Sequence, residues 1–492
     1  MKIRRILSAF LAVTVFIAAL SGCQNPGETG AGSSLPSLPT ETVIDSAPEA
    51  ETEEKSVWDS LSPVDYGGYT FNILSFDSSF LTDWIVAEEM TGELLNDSVR
   101  ERNLAVESLY NIGIKLETFD YDTAYNSMIN EVTAGTGAYD IAFQWAMKLP
   151  GAAAQRALYN LYDIPEIHTD ASWWNGDSVE ALTLLPGKLY YAANAINCSN
   201  AYDCAGLFFN SRLVDAYSLD SPYELVKSGD WTLSRMYGMM ETVMSNMDGT
   251  EKRTAEDMYG ITSAWGAVMI FYHGCGVKLG EIRYEEDAPS MEITFAGEKE
   301  LKAADWIYRV LTDSSMTADM NKDPWSVEAF YNGHSLFYSV GLYNMSLLRE
   351  NMEDDFGVIP SPKLDETQER YYVCSGGRNS PLMCIPADQT DAARTGNIVE
   401  ALSIYSAENL VEPYIEVLLS EKYARDEDTR NMIRLLIDNI TWDAGFLTVQ
   451  LFFDTWYPAV EKGGDETLTS TAQKIKNKVD KEFAKYIEGI SG

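Results

Sequence analysis

Apolar and polar residues alternate closely enough along Tyr69–Phe76 to predict a β-strand. A helical period follows over residues 97–110, where Leu95, Val99, Val106, Leu109 and Tyr110 fall on roughly one face. Asn111-Ile-Gly-Ile-Lys-Leu-Glu-Thr reads as a second strand, and residues 124–134 as a second helix ended by Gly135-Thr136-Gly137. Residues 139–143 form a third strand. Strand-helix-strand-helix-strand implies a parallel sheet with helices on its faces. Ligands of such sheets sit beyond the carboxyl ends of the strands. Asp77, just past the first strand, and Trp145, just past the third, are therefore candidate ligand contacts. Trp145 fits a core or loop-anchoring role equally well. Near the end, Ile475, Val479, Phe483, Tyr486, Ile487 and Ile490 recur at helical spacing with lysines between them. They predict a long surface helix that closes a lobe.

The N-terminal region breaks this pattern. Lys2, Arg4 and Arg5 precede an apolar run over residues 6–20, interrupted only by Ser8 and Thr14. The order is that of a secretory signal. The run falls short of the roughly 18 apolar residues that a membrane-spanning helix needs. It ends in Leu20-Ser21-Gly22-Cys23, which resembles the lipobox of bacterial lipoproteins. That resemblance implies a signal peptide over residues 1–22 and a lipid on Cys23. An ordinary signal with a chance cysteine is the alternative. Residues 23–63 are rich in Gly, Ser, Pro, Thr and Glu, with Trp58 as their one aromatic. Such a segment buries too little apolar surface to fold, and is expected to be a disordered tether to the lipid.

Of the 492 residues, roughly 430 remain to fold, more than one simple core holds, so two lobes are expected. The formal net charge is −39, and loss of the basic Lys2, Arg4 and Arg5 with the signal takes it to −42. Such a surface repels phosphate backbones, which argues against a nucleic-acid partner. Five cysteines follow Cys23, namely Cys198, Cys204, Cys275, Cys374 and Cys384. An odd number leaves at least one without an intramolecular disulfide. His168, His273 and His334 are isolated, without metal-ligand spacing. No metal and no cofactor are expected.

Several segments together resemble the extracellular solute-binding proteins of ABC importers, of the family 1 type that mostly takes up sugars and oligosaccharides. Residues 96–103, Asn-Asp-Ser-Val-Arg-Glu-Arg-Asn, resemble the first helix of many such proteins. Gly137-Ala138-Tyr139-Asp140-Ile141 resembles a family strand, and Leu158-Tyr159-Asn160-Leu161 the lobe segment after it. Pro186-Gly187-Lys188-Leu189-Tyr190 and Phe209-Asn210-Ser211-Arg212-Leu213 resemble its Gly-Lys-x-Tyr and Tyr-Asn-Lys-x-Leu pair. Trp231-Thr232 resembles a helix start, although the expected glutamate and leucine are absent. Phe330-Tyr331-Asn332-Gly333 resembles its Phe-x-x-Gly, with His334 and Ser335 in place of lysine and alanine. Phe356-Gly357-Val358-Ile359-Pro360-Ser361-Pro362 matches the family's Phe-Gly-Val-x-Pro-x-Pro. The order and spacing across residues 69–488 carry the resemblance more than any one motif.

The resemblance implies an α/β, two-lobed periplasmic-binding-protein-like fold (type II) with hinge-crossing strands and an interlobe cleft. Crossings are expected near residues 193–201, 373–379 and 408–413. Lobe one would comprise 64–195 plus 380–410, and lobe two 200–372 plus 414–490. Position in that cleft adds Asn197, Tyr202 and Asp203 at the first crossing, Trp265 in a Gly-flanked loop, Tyr343 after a strand, and Arg378 beside Gly376-Gly377 at the second crossing. Aromatic rings stack on sugar faces, and amides, carboxylates and arginine bond the hydroxyls. A turn at the first crossing and a hinge salt bridge for Arg378 are the plainer alternatives. Trp173-Trp174 could form a platform at the cleft mouth, whereas Trp231 reads as a helix-anchoring core residue. Cys198 and Cys374, on neighbouring crossings, could form a disulfide; Cys198 with Cys204, or thiols throughout, are the alternatives.

The expected protein is thus a monomer, lipid-anchored on the outer face of the membrane, with a carbohydrate ligand and ABC permease subunits as partners. A sensing lipoprotein, which would share the binding chemistry and differ only in its partner, and a binder of a non-sugar solute are the alternatives. An enzyme is the lesser reading. The sequence holds no Gly-x-Ser-x-Gly elbow and no His-Glu-x-x-His, although its 75 carboxylates guarantee chance pairs.

Overall fold

A computed structural model describes residues 56–198, 204–247, 249–263, 266–285, 288–375, 380–416 and 426–491. The signal, Cys23 and the tether up to residue 55 lie outside the described residues. So do Tyr202, Asp203, Trp265 and Arg378.

The first lobe is built on β1 (Tyr69–Phe76), β2 (Ile112–Phe119), β3 (Ile141–Trp145), β4 (Tyr191–Ala192) and β13 (Pro381–Cys384) in the order β2-β1-β3-β13-β4. Strands β1, β2 and β3 are parallel and β13 is antiparallel to both neighbours. Phe71, Ile73, Leu74 and Phe76 of β1 are all buried, as befits a central strand covered on both faces. Helices α1 (Leu94–Tyr110) and α2 (Tyr121–Ala134) are the connections. The expected boundaries hold within a few residues, and local chemistry explains the differences. Asn111 takes φ 47° as the left-handed cap of α1, so the second strand starts at Ile112. Asp140 aims its carboxylate at Asn72 N (2.7 Å) and Tyr69 OH (2.9 Å), so β3 begins at Ile141, beyond the expected start at residue 139. Helices α3 (Leu149–Ala154), α4 (Gly176–Leu182) and, much later, α6 (Ala392–Ser406) complete this lobe.

The second lobe holds β5 (Ala205–Asn210), β6 (Tyr259–Ser263), β9 (Thr317–Asp319), β10 (Ser335–Gly341) and β11 (Phe356–Ile359), ordered β11-β5-β10-β6-β9. Every residue of β5 and β10 is buried. Helix α5 (Ala267–Gly274) follows β6, and the hairpin β7 (Gly280–Glu285)–β8 (Ala288–Ile293) extends from it. Trp231 is fully buried, its indole donating to Pro360 O at 2.9 Å, in the anchoring role expected. Between the sheets, β12 (Val373–Cys374) pairs with β14 (Ile440–Thr441). Helices α7 (Glu427–Asp438), α8 (Ala444–Thr448), α9 (Gln450–Lys462) and α10 (Asp465–Ser491) end the chain.

Two expectations need correction. Helix α10 does not close one lobe; it reaches across. It packs on α9 and β8 of the second lobe, and its end packs on α3 of the first. There Tyr486 OH meets Tyr191 OH at 3.0 Å and Tyr190 OH donates to Ile490 O at 3.3 Å. No disulfide joins Cys198 to Cys374; all five described cysteines are thiols. Cys374 packs with Ala205 and Ile270 and directs Sγ to Ser375 O, whereas Cys198 directs Sγ to Ala195 O.

Candidate functional site

Strand registers locate the two sheet edges that the crossings join. In the first sheet Pro381, the start of β13, lies opposite Trp145, the end of β3, and β4 ends on the same edge. In the second sheet Gly341, the end of β10, lies opposite Ala205, the start of β5. The chain from Ala192 to Ala205 therefore leaves one sheet at its carboxyl edge and joins the other at its carboxyl edge. The chain from Cys374, packed against Ala205, returns to Pro381. Each lobe thus turns toward the crossings the edge where α/β sheets bind ligands.

On the first edge Trp145 is half-buried and stacks on Tyr121, with ring centroids 4.0 Å apart and planes tilted by 32°. Phe76 floors the pair, 4.8 Å from Tyr121 and 5.9 Å from Trp145. Asp120 caps α2 by accepting from Thr123 N at 3.1 Å, which places Tyr121 in the first turn. Tyr121 stays 41% exposed. Asp77 is exposed beside it, its backbone N–H held by Phe119 O at 2.6 Å. Gln144 Nε2 and Ser380 Oγ are buried near this edge with no hydrogen-bond partner among the described residues. Asn197 is buried on the root of the first crossing.

On the second edge Tyr343 is 38% exposed in a single turn after β10. Ser339 Oγ is buried there without a hydrogen-bond partner among the described residues. Ser263 and Gly266, the described neighbours of Trp265, flank α5 at the end of β6. Tyr457 of α9 lines a cavity of about 160 Å³ with Ser263 and Asp319. Burial, helped by Glu461 and Asp319, pushes its phenol up to about 12, so it is a neutral donor at physiological pH.

The structure thus puts Asp77 and Trp145 on one edge, Tyr343 on the other and Asn197 between them. Sequence reasoning missed Tyr121, although the strand-end rule that selected Trp145 applies to β2 as well. Tyr457 carried no such signal, because the tertiary fold brings it from a C-terminal helix. Trp173 and Trp174 form no platform. Both indoles donate to the buried Glu400, at 2.8 and 2.9 Å, and bind the loop to α6. A larger groove of about 1000 Å³ runs between α4 and β7 beside Trp442, and none of the sequence-predicted residues lines it. Among the described residues no His, Cys, Asp or Glu cluster is arranged to hold a metal ion.

No protein-family model and no curated protein matches this sequence, whereas many solved structures match its fold. The sugar-binding protein MalE from Xanthomonas citri aligns with TM-score 0.55 at 13% identity, over 85% of this chain and 98% of its own. The cyclic α-maltosyl-1,6-maltose binding protein from Arthrobacter globiformis gives 0.53 at 12%, over 86% and 98%. The ABC transporter associated binding protein from B. animalis subsp. lactis Bl-04, in complex with β-1,6-galactobiose, gives 0.52 at 14%, over 84% and 98%. The chain has the two-lobed α/β fold of these binding proteins. Among its described residues no helix is long and apolar enough to cross a membrane.

Proposed function

We propose that this chain captures a sugar or oligosaccharide between its lobes and passes it, unaltered, to the permease of an ABC transporter. A lipid on Cys23 would hold it at the outer face of the membrane. The observation that carries the reading is the pair of carboxyl edges joined by the crossings, each offering an aromatic ring beside unsatisfied buried polar groups. Trp145, Tyr121, Trp265 and Tyr343 would stack on pyranose faces. Asp77, Asn197, Tyr202, Asp203 and Arg378 would bond hydroxyls, with Gln144, Ser380 and Ser339 behind them. Lobe one would comprise 64–195 plus 380–410, and lobe two 200–372 plus 414–490. The sugar-binding proteins of like fold support the ligand class, and being binding proteins they support a non-enzyme.

A thermal-shift screen against a glycan panel tests this. A bound ligand adds about 2.7 kcal/mol at 100 times its Kd, and at least one oligosaccharide should raise Tm. Shifts with peptides or polyamines alone would refute the sugar assignment, and release of reducing ends would refute the non-enzyme one. The lipid is read separately, as a diacylglyceryl mass increment on the peptide that begins at Cys23.

A further inference from the structure

We propose that Arg102 is the positioning residue of the hinge, a single buried guanidinium that fixes the roots of two crossings on the first lobe. The assignment presupposes the lobe closure proposed above and says what sets its resting angle. Arg102, on α1, is fully buried, and no carboxylate among the described residues pairs with it. Its guanidinium donates instead to Ile85 O (2.5 Å), Asn103 Oδ1 (2.9 Å), Ile196 O (3.0 Å) and Ser406 Oγ (3.2 Å). Asn103 Nδ2 adds a second bond to Ile85 O at 3.1 Å.

Two of those partners are roots of crossings. Ile196 lies where the chain leaves β4 for the second lobe. Ser406 is the last residue of α6, after which Ala407–Val411 forms a π-helical turn, a geometry frequent at functional sites. The beginning of the folded unit docks on that turn too. Ser56 Oγ and Val57 N donate to Glu408 at 2.6 and 2.7 Å, and Trp58 stands edge-on to Tyr405 at 4.9 Å.

A residue that only filled this space would be apolar, because burying a cation costs free energy that Leu or Met avoids. What arginine alone supplies is a rigid planar fork of five donors, here joining three separate segments. Burial lowers its pKa to about 10, which leaves it charged at neutral pH. It occupies the last Arg-Asn of the 96–103 segment, whose part in the fold the cleft does not explain.

Hydrogen exchange of the whole chain tests this without any ligand. Arg102→Lys should speed exchange about tenfold at residues 193–198 and 402–411, the factor expected from losing charge-assisted bonds, while β3 keeps its rate. Val106→Ala, a buried apolar truncation in the same helix, is the control for simple destabilisation and should leave both crossings unchanged. Ser406→Ala keeps the guanidinium and should affect 402–411 alone, which serves if Arg102→Lys does not fold. Arg102→Lys should also enlarge the ligand-free radius of gyration in solution scattering, and Val106→Ala should not. Equal patterns for Arg102→Lys and Val106→Ala, or crossing amides at the wild-type rate, would overturn the proposal. A chain that binds no glycan would refute the binding function and leave this test standing.

Discussion

Trp145 and Tyr121 occupy the first edge as a stacked pair with one ring half-exposed to the cleft, so their worth should show in binding. Trp145→Ala is expected to weaken glycan affinity by about 1–2 kcal/mol, the scale of an aromatic anchor, which is roughly 5- to 30-fold in Kd. Calorimetric titration reads it, and unchanged affinity would remove Trp145 from the site. A different residue governs acid sensitivity. Burial holds the His273 imidazole below its ordinary value. The facing groups are Asp443, which draws that value up, and Lys278, which lowers it further. The unfolded chain therefore binds more protons than the folded one just below pH 6.5, and the stability of neutral His273 is lost as pH falls through that region. Asp443 acts in the opposite sense, because burial raises its carboxyl and protonation relieves that burial at lower pH. His273→Gln should flatten the drop in urea midpoint between about pH 7 and 5.5; an unchanged slope would exonerate His273.

At the scale of elements, α10 is the strut whose role the periodicity could not reveal. Its apolar stripe was legible from Ile475 to Ile490, but a stripe says only that something covers it. What covers it is partly β8 and partly α3, which belong to different lobes. The contact is tight, since a side chain at Gly489 would come within 2.5 Å of Ala154 O. Gly489→Val should cost about 1–3 kcal/mol by overpacking. Tyr486→Phe should cost about 1–2 kcal/mol by leaving the buried Tyr191 hydroxyl unpaired. Both are measured by urea unfolding, and values near zero would mean that the end of α10 is not held to the first lobe. The strands and helices of residues 69–145 were legible for a complementary reason. Two of their boundaries are set by local devices, the left-handed Asn111 and the cap Asp120, whereas Asp140 acts through Asn72 and Tyr69, 68 and 71 residues away.

For the whole molecule, closure should be visible as a smaller radius of gyration when an active glycan is added, and its absence would speak against a cleft that shuts. The surface charge makes a second expectation. A net charge of −39 would make an ionic ligand's affinity salt-dependent, whereas a neutral sugar has no charge to screen. Its Kd should change less than about twofold between low and physiological salt, and a strong dependence would point to an ionic solute. The sequence by itself determined the alternating α/β core, the export signal pattern and the edge on which Asp77 and Trp145 lie, because each follows from local periodicity or from chain order within one sheet. Only the tertiary structure decided that Trp173 and Trp174 face Glu400, that Tyr457 joins the second edge, that Cys198 and Cys374 remain thiols and that Arg102 gathers two crossings. These depend on segments far apart in the chain meeting in three dimensions, and no local pattern along the chain encodes which partner a buried polar group will find.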